Sequence, residues 1–136
     1  MNNKAPIDVT FEQLKSMLDV GGYDNLTEPQ LYELILMIPC YVMFARDEVS
    51  KLFHEYKLAK ANYQREFSRA FLSLSGSVES RKHEAGTVNS VYSAEVELIE
   101  KEVAYERIKN VPDDWLELLQ ALKRLCDVKY RKAGVN

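Results

Sequence analysis

The amino-acid sequence predicts an all-α fold built on a long antiparallel helical hairpin, and three observations carry that reading. Between Tyr41 and Leu74 the residues Val49, Leu52, Phe53, Tyr56, Ala59, Tyr63, Phe67, Ala70, Phe71 and Leu74 recur every three or four positions. Neither glycine nor proline interrupts this run, and period-two alternation is absent. A helix of that length would extend for roughly 50 Å and needs a partner along its apolar side. A second periodic stretch, from about Val88 to Tyr130, supplies one.

The N-terminal part, residues 1–39, reads as short helices across one end of the hairpin. Thr10 with Gln13 makes a capping box for a helix from Phe11 to about Val20, closed by Gly21-Gly22. Thr27 with Gln30 makes another, opening a helix through Leu31, Leu34, Ile35 and Ile38. Pro39 lacks a backbone donor and crowds the preceding turn, so a break is expected there, with a near-collinear restart. The long helix then occupies 40–75, followed by a connector at 76–86 in which Ser77 caps a short helix. The return covers 87–132, with Thr87 or Ser90 as its cap and Val88, Tyr92, Val96, Ile99 and Val103 as its stripe. Pro112, followed by Asp113 and Asp114, resembles a helix first turn, so the return is bent or broken there. Residues 133–136 form a tail, and the 136 residues make a single helical domain. The apolar band of the long helix runs from Leu52 and Ala70 to Phe53 and Phe71. That is wider than one partner covers, so homo-oligomerisation through helix packing is expected.

Composition bounds the function. Hydrophobic content of 46% and charged content of 29% describe a folded protein, and a net charge of −3 excludes one that coats nucleic acid by bulk charge. The charge is uneven: residues 1–40 hold two basic and six acidic groups, whereas residues 115–136 hold five and two. The N-terminus, MNNKAPIDVT, lacks the basic-then-apolar order of a secretory signal, and no apolar run is long enough for a bilayer, so a cytoplasmic location is expected. Cys40 and Cys126 are isolated and read as small buried hydrophobes. There is no Gly-rich phosphate loop, HExxH or GxSxG, and no ligand spacing around His54 and His83. Glu95, Glu97, Glu100 and Glu102 alternate around a helix without an ExxH partner and read as a solvated face. The expectation is a chain that is not an enzyme and carries neither metal nor cofactor.

Binding residues are the remaining candidates. Arg65 and Arg69 form an i,i+4 like-charge pair on the polar side of the long helix, and Glu66 alone can reach Arg69. Arg81 and Lys82 follow in the connector. These four are the candidate nucleic-acid contacts. Tyr63, Phe67 and Phe71 lie nearby but fall on the apolar stripe and read as core. Lys60 projects toward the apolar side and is assigned a structural pairing with the acid-rich return. Lys123, Arg124, Lys129, Arg131 and Lys132 make a secondary basic cluster, offset by Asp127.

The order of these features resembles a known family. LYELILMIPCYVMFA, a long helix ending in RAFL, GSVESRKHEA, AEVELIEKEVAYERIK and WLELLQALKRLCDVKY follow one another over about residues 31–132. Together they are similar to the UvsY-like recombination mediators, small helical-hairpin proteins of tailed phages. The resemblance implies a non-enzymatic accessory protein of DNA recombination that forms ring-like homo-oligomers in the host cytoplasm. It further implies binding of single-stranded DNA and help in loading a recombinase onto strands covered by a single-strand-binding protein. The family's late-helix basic groups correspond to the region of Arg65 and Arg69. This chain departs from the pattern in having no lysine there and in carrying Pro112 within the return. The alternative is a helical adaptor, virion assembly factor or inhibitor acting through protein–protein contacts alone.

Overall fold

The computed structural model describes residues 26–131, and the expected helix from Phe11 to Val20 lies outside them. Among the described residues the chain is helical with no strand: α1 (Glu28–Ser73), α2 (Val78–Thr87), α3 (Asn89–Ile108), α4 (Val111–Cys126) and a π-helical turn at Asp127–Arg131. The described residues divide into two compact units, 26–47 with 110–131, and Glu48–Lys109.

Helix α1 begins at a reciprocal capping box. The Thr27 N–H donates to Gln30 Oε1 at 3.0 Å, and the Gln30 N–H donates to Thr27 Oγ1 at 3.4 Å. The helix then continues for 46 residues with Pro39 inside it, so the expected break does not occur and the long helix starts at Glu28 rather than 40. The reason is position. Pro39 is exposed between buried Ile38 and Val42, so its ring crowds nothing in the core. Pro39 removes the N–H that would bond the Ile35 carbonyl, and the helix carries that one missing bond without ending.

In the first unit, Leu31, Ile38, Val42 and Ala45 step along α1 at intervals of seven, four and three. They meet Trp115, Leu119, Leu122 and Cys126 of α4. The Tyr41 and Trp115 rings pack at 5.2 Å. Each large side chain buried here contributes about 1.5–3 kcal/mol by leaving water. Helix α4 can start where it does because Pro112 sits in its first turn, where its missing N–H is harmless, and Asp113 and Asp114 oppose the positive helix end. The return is thus two helices, α3 ending at Ile108 and α4 opening at Val111. Cys126 is buried, but Cys40 is exposed and is not the core residue its apolar surroundings suggested. It lies on the outer side of α1 beside Leu36, Met43 and Phe44, which are also exposed.

In the second unit, residues 48–73 of α1 pair with α3. Phe53 and Tyr56 pack on Tyr105, with ring centroids 5.2 and 6.0 Å apart, and Glu55 meets Lys101 at 3.3 Å. Farther along α1, Ala70 packs with Ala85 of α2 and Val91 of α3, so higher numbers on α1 meet lower numbers on α3 and the pair is antiparallel. Tyr63, Phe67, Phe71 and Leu74 pack around that cluster and are core. The turn into α2 passes through Gly76 at φ 117°, a conformation that glycine adopts without a Cβ clash. Ser77 then caps α2 by accepting from the Ser80 N–H at 3.2 Å. Neither Thr87 nor Ser90 caps α3: Val88 holds that position, and the Thr87 hydroxyl donates back to the Glu84 carbonyl within α2.

One face of α3 differs from the sequence expectation. Val91 and Ala94 are buried, and Leu98, Tyr105 and Ile108 half-buried, whereas Tyr92, Val96, Ile99 and Val103 are exposed. The helix carries two apolar stripes at three-to-four spacing, and the one that begins at Val91 faces inward.

Candidate nucleic-acid interface

An uninterrupted helix sets the positions of Arg65 and Arg69. Four residues apart, they leave α1 about 40° from one another, and both are exposed. Local neutralisation is partial. Arg65 donates to the neutral Asn62 side chain at 2.7 Å, and Arg69 approaches Glu66 Oε1 at 3.5 Å with 70% of its own side chain exposed. Such an exposed pair is worth less than about 1 kcal/mol, so both guanidinium groups can turn to an external phosphate at small cost.

Three lysines of α1, Lys51, Lys57 and Lys60, are exposed as well. The Lys57 ammonium lies 5.2 Å from the Phe53 ring centroid and 5.7 Å from that of Tyr56. Lys60 does not make the structural pair expected of it. Glu55 and Lys101 form the interhelical pair instead, because Glu55 is half-buried on the side of α1 that meets α3. The acids of this segment are therefore both engaged, Glu55 with Lys101 and Glu66 with Arg69. Lys57 was missed from sequence. Its spacing of four from Phe53 was the available signal.

The connector residues behave differently from one another. Lys82 is exposed on α2. Arg81 is half-buried, with its guanidinium carbon 4.4 Å from the Phe71 ring centroid and its Nε buried without a hydrogen-bond partner among the described residues. Phe71 leaves α1 about 200° from Arg69, so Arg81 is held on the opposite side of that helix from the arginine pair. The structure brings Arg65 and Arg69 together, and it ties Arg81 into the packing of α2 on α1. In the secondary cluster, Lys123 and Arg124 are exposed in the last turn of α4, where positive charge opposes the helix dipole. Lys129 and the backbone of Arg131 belong to the π-helical turn, and Lys132 lies outside the described residues.

Glu95, Glu97, Glu100 and Glu102 are exposed on α3. Among the described residues, no group of three or more His, Cys, Asp and Glu side chains could hold a metal ion. No described helix is long and apolar enough to cross a membrane. Comparisons with family models, with curated proteins and with solved structures find no match to this chain.

Proposed function

We propose that the chain is a non-enzymatic, homo-oligomeric accessory protein that binds single-stranded DNA through its backbone phosphates, without base-specific readout. The observation that carries this reading is the Arg65–Arg69 pair on the solvated side of α1, where one arginine has only a neutral partner and the other a single long ion pair. Repetition of the pair in an oligomer raises the effective concentration of contacts, which is how a chain of net charge −3 holds a polyanion. The wider role in recombination, loading a recombinase onto strands covered by a single-strand-binding protein, rests on the resemblance to the UvsY-like mediators.

Fluorescence anisotropy with a labelled oligothymidylate across a salt series tests the proposal. The Arg65→Ala/Arg69→Ala variant should bind more weakly. Its salt dependence should be shallower by roughly 1.4 in slope, at ~0.7 per phosphate contact on a single strand. Circular dichroism and oligomer mass should be unchanged. Unaltered affinity in a folded variant would move the contact to Lys123 and Arg124. Absence of binding by the parent protein at low salt would favour the adaptor reading, which the exposed apolar stripe of α3 supports.

A further inference from the structure

Tyr92, Val96, Ile99 and Val103 form an outward stripe on α3 at steps of four, three and four, with exposures of 62%, 37%, 53% and 51%. That is the spacing of a helix–helix seam, and it lies roughly 150° around α3 from the line already packed on α1. Its margins are acidic. Glu95 and Glu102 flank one side, and Glu100 the other. A second α3 is a poor occupant. Antiparallel self-pairing sets Glu95 and Glu102 against their own copies, and parallel self-pairing sets Glu95 against Glu100.

The complementary surface is on α1. Between Lys51 and Ala61 its exposed outer side carries Lys51, His54, Lys57, Leu58 and Ala61. The one acid in that segment, Glu55, is half-buried and paired with Lys101. Both surfaces are about 16 Å long. Leu58, 58% exposed, supplies the apolar knob for the Val96–Ile99 hollow, and Lys51 and Lys57 supply the positive margins.

We infer that α3 of one copy docks on the Lys51–Ala61 face of α1 of a second copy. The contact is heterologous: each copy offers one acidic-rimmed apolar stripe and receives on a different, basic face. Such a contact propagates into a ring or an open array. It leaves Arg65 and Arg69 outside the docked segment, so every added copy presents another arginine pair. The inference rests on the oligomeric reading above and names its interface.

The test mixes two variants, each with one face blocked. Ile99→Lys blocks the stripe while gaining helix-stabilising neighbours in Glu95 and Glu102. Leu58→Gln/Ala61→Gln blocks the α1 face at exposed positions. The parent protein should sediment above the monomer mass, with association weakening as salt rises. Each variant alone should associate at least about tenfold more weakly, with parental helicity by circular dichroism. Mixed together, they should form a one-to-one dimer and nothing larger, because one intact pair of faces remains. A monomeric parent protein would refute the oligomer and the interface together. A parental mass in either folded variant, or a mixture that gives no dimer, would refute this interface and leave the oligomer standing. Oligothymidylate binding is measured separately on the monomeric Ile99→Lys variant, which keeps Arg65 and Arg69.

Discussion

Replacing Pro39 by alanine should stabilise the protein. Within a helix, proline is about 3 kcal/mol less favourable than alanine, because it removes one hydrogen bond and its ring crowds the turn before it. Pro39 lies in the interior of the 46-residue α1 and is exposed, so alanine surrenders no core contact while restoring an N–H to the Ile35 carbonyl. Against this stands the freedom that alanine returns to the unfolded chain, about 0.4–1 kcal/mol. The net expectation is a gain of about 2 kcal/mol, or ~4–8 °C in Tm if unfolding is cooperative. Trp115 is the chain's single tryptophan and packs in the same cluster as Ile38, so its fluorescence reports the unit that contains position 39. Urea unfolding followed by that signal should show a higher midpoint with an unchanged slope. A lower midpoint would refute the reasoning. It would mean that the local geometry imposed by Pro39 is what seats Leu31, Ile38 and Val42 against α4.

Two further perturbations probe the same unit. Trp115→Ala removes a fully buried side chain that packs on Tyr41, and it should cost about 3–5 kcal/mol; a change under 1 kcal/mol by circular dichroism in urea would contradict this core. The Cys126 side chain first, and Glu28 after it, favour the protonated Tyr32 hydroxyl and push its pKa up from 10 to about 12. Because the unfolded chain releases that proton first, this stabilisation is present below pH 10 and fades between pH 10 and 12. A phenolate absorbance titration of the parent minus the Tyr32→Phe variant should place this group near 12, and a difference curve centred at 10 would contradict the arrangement.

Much of the fold was legible in sequence because its signals are local. The Thr27–Gln30 box, the Ser77 cap and the helix start around Pro112 each depend on a few neighbouring residues. Their physics is complete without a partner. The solvated placement of Arg65 and Arg69 was legible for the same reason, since helical periodicity alone sets their face. What the tertiary structure decided is which side of each helix meets another. Periodicity cannot rank two apolar stripes on one helix, and in α3 the choice fell on Val91 and Ala94, leaving Ile99 and its neighbours outside. Pro39 stays inside α1 at an exposed position, while Ile38 and Val42 beside it are buried. Lys101 rather than Lys60 became the interhelical ion-pair partner, because Glu55 and Lys101 occupy the line along which α1 and α3 touch. Arg81 was drawn from the candidate surface onto the Phe71 ring by the docking of α2. Each of these outcomes depends on the register and separation of packed helices, quantities that arise from side-chain volume across a contact and have no signature within a single helix.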